Sequence, residues 1–401
     1  MSTHPRRQPA HFVLLLVATL ATALTTTLVT TVSASSAAGA APRYGKNTHQ
    51  QVTVAVLPQV RHPGATPAPL RAARTVVAAT FEPAGSGRIV RLQRWRDRAW
   101  RNLAKDVTTS RGQVELVVRR HDGARYRVVA APWRGLPELR SESVVNRWSD
   151  PDFADEFDGT QLSSAWQHRI QFYNPWGGRS CSKGSPDAVA VGGGVVRLSS
   201  MPDPQAHGLC PAKNGSGRPL GHFQYRLNGH ISTQHSADFL YGVAAARMRF
   251  PKSLGQHAAF WLQPRGLLET GTTPWGAEID VVEWYGANED RQVMASAIHV
   301  PQPDGSKLQI GGRIRNPNRF LATRSDTWWT QYHVFSIEWT PTEYVVRIDG
   351  HEAWRTREGV SHVHEFLILS MLSSDFELPS VGDDPTPRTA EVDWVAVWEA
   401  S

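Results

Sequence analysis

Three carboxylates, Glu278, Asp280 and Glu283, stand within the otherwise apolar run Ala277–Tyr285. The Val, Ile, Trp and Tyr residues around them favour extended backbone, whereas Asp is depleted in strands, so these acids oppose the local propensity. Alternation along a strand places Glu278 and Asp280 on one face. Glu283 falls out of phase, because an even spacing from Glu278 reaches Val282 instead. A β-bulge around Val281 and Val282 would supply the extra residue that returns Glu283 to the acidic face. Two glutamates leaning together there could bring their carboxyl groups to about 5–5.5 Å, the separation at which one attacks a sugar carbon and the other protonates the departing oxygen. Like charges held so closely keep one proton on the pair near neutral pH. A solvent-facing strand explains a single glutamate with no chemistry at all. Three like charges on one face repel one another, and their neighbours are apolar rather than Lys or Arg.

The spacing Glu-x-Asp-x-x-Glu resembles the bulge-containing motif of glycoside hydrolase family 16, the laminarinase and β-glucanase group. Other segments carry the resemblance further: Asp155-Glu-Phe-Asp-Gly159, Tyr241-Gly242 through Arg247, Ala259-Phe-Trp-Leu262, Tyr332 through Trp339, and Val392-Asp-Trp-Val395, in the family's order. The resemblance implies a concanavalin A-like β-jelly roll with a concave cleft. It implies Glu278 as the nucleophile that forms a glycosyl-enzyme, Glu283 as the acid that later activates water, and Asp280 as the group that tunes Glu278. It also implies Trp261 and Trp275 as subsite walls, with indole faces stacking on sugar rings, and Asn174, Arg247 and His299 as polar cleft positions. A structural calcium would be held through Glu156, Gly194 and Asp393, oxygen ligands that suit a hard cation; catalysis itself needs no cofactor. Two departures, Ala245 in place of a sugar-binding Glu and Ser370 in place of an Asn, predict a remodelled subsite and leave the exact polysaccharide open. The activity implied is hydrolysis of internal β-1,3 or mixed β-1,3/1,4 linkages with retention. The alternatives are the same fold acting on a galactan or exopolysaccharide, a transglycosylase, and a non-catalytic carbohydrate-binding jelly roll.

The elements that must position these residues read as all-β. The chain has 401 residues, 40% apolar and 20% charged, enough for two globular domains and a targeting segment. Residues 1–41 read as a leader: Arg6 and Arg7, an apolar stretch from Phe12 to Leu24, then small residues offering cleavage after Ala34 or Ala40. Export follows, and the two cysteines, Cys181 and Cys210, are expected as a disulfide in an oxidising compartment. Closing that loop would stabilise the fold by roughly 3–4 kcal/mol on the chain-entropy account. Short strand-like runs at regular spacing over 48–136, punctuated by Gly85-Ser-Gly87 and Asp122-Gly123, predict an immunoglobulin- or fibronectin-like sandwich. Residues 137–149 read as a linker and 150–401 as the jelly roll.

Charge divides at the same boundary. Residues 1–150 hold 22 Lys and Arg against 8 acids, a balance of +14, whereas 151–401 carry −7. The basic half, above all Arg91 to Arg98, suits an anionic cell wall or acidic polysaccharide, and the acidic half favours a neutral glucan in the cleft. No CxxC, HExxH or phosphate-binding glycine loop occurs, which argues against catalytic zinc and nucleotides. No recognition motif accompanies the basic charge, so nucleic acid is not expected as a partner. His362-Val-His364-Glu365 reads as a surface turn, and the protein is expected to be a monomer.

Overall fold

In the strand Gly242–Arg249, Ala244, Ala246 and Met248 enter one apolar core while Val243, Ala245 and their neighbours enter another, so both faces of this strand are buried. That double burial is the key to the architecture. The computed structural model describes residues 43–45, 47–174, 178–266, 276–288 and 292–400. The leader expected over 1–41 and the expected cleft residue Trp275 lie outside the described residues.

Two antiparallel sheets close on the larger core, giving a nearly closed jelly-roll sandwich. The concave sheet runs in the order Lys307–Arg313, Gln292–Pro301, Glu278–Ala287, His257–Pro264, Glu365–Leu372, Arg226–Ser232. The outer sheet runs His351–Thr356, Tyr344–Ile348, His333–Trp339, Gly242–Arg249, Arg388–Glu399. Arg226–Ser232 links the two: its first half pairs with Val196–Pro202, which also borders Arg388–Glu399, and its second half pairs with Glu365–Leu372. Strand alternation fills the space between with Phe260, Leu262, Ile279, Trp284, Leu367, Leu369 and Met371 from one sheet and Phe335, Ile337, Val395 and Val397 from the other. Cys181 and Cys210 are joined in a disulfide, with Cα atoms 5.5 Å apart, under the loops at one end.

Two further sheets form from the N-terminal runs. Gln51–Arg61, Arg74–Glu82 and Gln113–Val118 make one, and Ala99–Val107, Ile89–Arg96, Arg125–Ala130 and Leu139–Arg140 the other. Val77, Phe81, Val90, Leu92, Val114, Leu116, Tyr126 and Val128 fill the space they enclose. The segment read as a linker is not free chain: Leu139–Arg140 and Val144–Val145 both pair with Arg125–Ala130, and the Trp148 indole donates to the Val56 carbonyl at 2.6 Å. Residues 44–401 make one compact unit. A third apolar cluster explains why, since Leu57, Val60, Leu70, Ala73 and Val76 pack on Val243, Ala245, Val334, Trp394, Ala396 and Trp398 of the outer sheet.

Candidate active site

The acidic strand bends where its sequence slips phase. Against His257–Pro264, Phe260 faces Val282 but Trp261 faces Asp280; against Gln292–Pro301, Ala297 faces Asp280 but Ala295 faces Glu283. Both neighbours register one extra residue between Asp280 and Glu283, a β-bulge. Val281 and Val282 therefore both enter the core with Ile279 and Trp284, which leaves Glu278, Asp280, Glu283 and Tyr285 on the concave face. The far end of the strand is fixed to the Pro251–Gln256 loop. The Trp284 indole donates to the Pro251 carbonyl and the Ala287 N–H to the Lys252 carbonyl, each at 2.7 Å. Gly286 sits between at φ +89°, where a Cβ would come within 2.2 Å of the Ser253 carbonyl oxygen.

Each carboxylate has a different partner. Gln263 Nε2 donates to Glu278 Oε2 at 2.5 Å, and Lys307 Nζ lies 3.7 Å from the same oxygen. His299 Nε2 lies 3.1 Å from Asp280 Oδ2, and the Ser296 hydroxyl donates to the Asp280 carbonyl oxygen at 2.8 Å. The Tyr285 hydroxyl donates to Glu283 Oε1 at 2.7 Å. Burial, with the charges of Glu283 and Glu278 beside it, pushes Asp280 up to about 7 against the opposing pull of the His299 hydrogen bond. That bond raises His299 above its ordinary value. Burial and then Glu283 raise Tyr285, so its proton stays available for the bond. Asp280, the buried member in the middle, is thus held towards its protonated form.

This has a consequence for stability. Asp280 titrates higher in the folded protein than unfolded, so the folded state binds more protons between about pH 4 and 7 and loses stability as pH rises through that window. His299 adds in the same sense: its stabilisation is present below its unfolded value and is lost as pH rises through the raised one. Asp280→Asn removes the first effect and the largest cause of the second, and is expected to flatten the fall in unfolding free energy between pH 5 and pH 8, read by urea titration at each pH. An unchanged slope would show that Asp280 is ionised throughout.

A family model described as Glycosyl hydrolases family 16 matches residues 211–372, the span that contains the bulged strand. Residues 211–372 are therefore similar to a family 16 domain. A β-glucanase of Rhodothermus marinus is 28% identical over 198 residues, which cover 48% of this chain and 59% of the relative, so the chain matches less than two thirds of that protein. Among solved structures, the laminarinase catalytic domain of Thermotoga maritima aligns with 18% identity and a TM-score of 0.48, over 63% of this chain and 99% of its own. An endo-β-1,3-glucanase from Pyrococcus furiosus aligns with 17% identity and the same score, over 62% and 94%.

Around the three carboxylates, Trp261 lies on the same face one strand away, its indole donating to the Ser370 hydroxyl at 3.0 Å. Ser370 thus serves as an acceptor that fixes this indole. Arg169 lies over Trp261 at 5.3 Å from the ring centre, and the buried His230 ring stacks on Trp261 with ring centres 5.8 Å apart. Burial lowers Arg169 to about 10 while Glu278 opposes the shift; burial, then Arg169 and Arg179, hold His230 neutral. His299 lies beside the carboxylates through its contact with Asp280. Asn174 lies exposed on the preceding loop, with its N–H donating to the Arg179 carbonyl at 3.3 Å.

Sequence reading passed over Gln263, Tyr285, Lys307, Arg169 and His257, which bonds Glu377 at 2.9 Å beneath Tyr285. Two of these were signalled. Tyr285 lies two residues beyond Glu283 and Gln263 two beyond Trp261, so alternation alone puts them on the same faces. Lys307 and Arg169 come from other segments and carry no local signal.

Three expectations are corrected. Arg247 is not a cleft residue: its strand lies in the outer sheet, and its fully buried guanidinium pairs with Asp393 and donates to the carbonyls of His62 and Thr66. Ala245, on the same face, packs against the N-terminal apolar cluster, so it marks an interface rather than a remodelled subsite. Glu365 does not belong to a surface turn. It begins a concave-sheet strand, is wholly buried, receives the Ala277 N–H at 3.4 Å, and is raised well above the usual carboxylate range by burial. Its neighbours His362 and His364 do remain at the surface, against Tyr241 and Asp238.

Glu156, Gly194 and Asp393 do meet around one cleft of about 310 Å³ together with Ala68 and Arg71. The donor set does not suit calcium. The Ala68 N–H points at both Asp393 oxygens, at 3.2 and 3.1 Å, and Oδ2 also takes the Arg247 guanidinium. That carboxylate's charge is already balanced by a fixed cation, so a dication would be placed beside a guanidinium.

Proposed function

We propose that the chain is a secreted retaining endo-β-glycosidase acting on β-1,3- or mixed β-1,3/1,4-glucan. The observation that carries the reading is the bulge, which brings Glu278, Asp280 and Glu283 to one face of a domain similar to family 16. The name of the Rhodothermus marinus relative supports the glucan, and the leader-like start with the Cys181–Cys210 disulfide supports export.

In this mechanism Glu278 attacks the anomeric carbon as the glycosidic bond breaks, and Glu283 gives its proton to the departing oxygen. The sugar is then an ester of Glu278. Glu283, now a base, takes a proton from water as the water oxygen attacks the same carbon, releasing Glu278 and a product with the original configuration. The Tyr285 bond to Oε1 directs the Glu283 proton to the other oxygen. Gln263 and Lys307 hold Glu278 in place, and Asp280 keeps a neutral hydrogen-bonding group between the two glutamates below about pH 7.

Product analysis on laminarin, lichenan and agarose tests this. Internal cleavage of laminarin or lichenan, with the β-anomer formed first by NMR, is the expected result. Turnover of agarose alone would move the substrate to galactans, and binding without turnover of any of the three would remove the catalytic reading.

A further inference from the structure

The outward face of the N-terminal sheet carries side chains that its core does not use. Val90 and Leu92 of Ile89–Arg96 point inward, so Arg91, Gln93 and Trp95 point out. Trp95 stands directly opposite Trp100, with ring centres 5.4 Å apart, and Trp95 is 40% exposed. Arg127 from the next strand lies 4.3 Å over the Trp100 ring and donates to Gln93 Oε1 at 2.8 Å, and Gln93 donates on to Asn102 at 2.9 Å. Trp95 is therefore propped edge-on by Trp100 at an interplanar angle of 63°, with two amides beside it and a guanidinium over the Trp100 ring. Apolar ring faces bordered by hydrogen-bonding groups match a sugar, whose C–H faces are apolar and whose edges are hydroxyls.

Charge narrows the ligand. Arg91 stands opposite Lys105 on this face, both exposed, and like charges placed directly across a strand pair destabilise it. Among the described residues neither forms an ion pair. A ligand with acidic groups would relieve that repulsion, whereas a neutral glucan would not. We propose that this face is a second glycan-binding site, separate from the cleft, that takes an anionic polysaccharide by stacking a sugar on Trp95, held by Trp100, and pairing acidic groups with Arg91, Lys105 and Arg127. The site does not depend on the assignment of the cleft residues.

The test uses the full chain, with affinity electrophoresis in gels containing polygalacturonate, a sulfated galactan or neutral laminarin, and with an oligothymidylate as an equally anionic control. Wild type is expected to be retarded by at least one of the two acidic glycans, which one identifying carboxylate or sulfate as the preferred group, and to lose that retardation as salt rises. Trp95→Ala and the double variant Arg91→Gln/Lys105→Gln should each weaken binding at least tenfold. The double variant should do so with an unchanged or higher melting temperature, since it removes a repulsion, and it keeps the test valid if Trp95→Ala misfolds. Hydrolysis in the cleft is scored separately on short soluble oligosaccharides. The proposal is overturned if neither acidic glycan retards the protein, if the double variant binds like wild type, or if oligothymidylate binds as tightly as the glycans.

Discussion

Glu278→Ala is expected to lower turnover of β-1,3-glucan by about 10⁴-fold or more, a loss in the range seen when a covalent nucleophile is removed. The defect should be in kcat rather than KM, because Trp261 and the other side chains proposed to hold the sugar remain. Azide small enough to enter the vacated space should restore part of the rate on an activated aryl glycoside. It would attack from the side that Glu278 occupied while Glu283 still protonates the leaving oxygen, so the glycosyl azide formed has inverted configuration. Glu283→Ala should behave differently. It removes proton transfer, worth about 10²–10⁴-fold, and should spare the first step for a leaving group that departs without a proton. If both alanine variants lost activity equally on good and poor leaving groups and neither responded to azide, the division of roles between the two glutamates would be wrong.

The placement of the three carboxylates on one face was legible in the sequence because it rests on local periodicity, whereas the division of roles comes only from the resemblance to family 16. Glu278 and Asp280 keep strand phase, Glu283 breaks it by one residue, and a bulge at Val281–Val282 is the least change that reconciles them; both flanking strands register it. The Cys181–Cys210 pair was legible for a similar reason, since two cysteines allow one pairing. What the sequence left hidden was which sheet a strand belongs to. Gly242–Arg249 looks like a half-buried strand with an arginine on its open face, but its pairing partners lie near residues 333–339 and 388–399. No local pattern reports a second buried face, because apolar side chains on both sides fit a core strand as well as an interface strand. The Lys307 contact to Glu278 is hidden in the same way, since it comes from two strands away.

Arg247→Met is expected to destabilise the protein by about 3–5 kcal/mol, the usual result of stranding one member of a buried ion pair. Arg247 and Asp393 are 0% and 3% exposed, and the guanidinium also ties down the His62 and Thr66 carbonyls of the segment leading to the N-terminal cluster. Arg247→Lys should recover little, because a point charge cannot reach a carboxylate and two carbonyls in one plane as the fork does. Burial already pushes Asp393 upward and Arg247 opposes it. Without the arginine the folded carboxyl would take a proton, so its stability deficit should grow as pH rises from 5 to 8. Pairing Arg247→Met with Asp393→Leu removes both charges and should regain most of the loss, short of the unpaired Ala68 N–H. A four-way urea cycle reads the coupling. Trp394 and Trp398, buried at the same interface, give a fluorescence signal for its opening. If Arg247→Met cost under about 1 kcal/mol with unchanged emission, within the range of exposed pairs, the ion pair would be incidental and the apolar cluster alone would hold the N-terminal sheets in place.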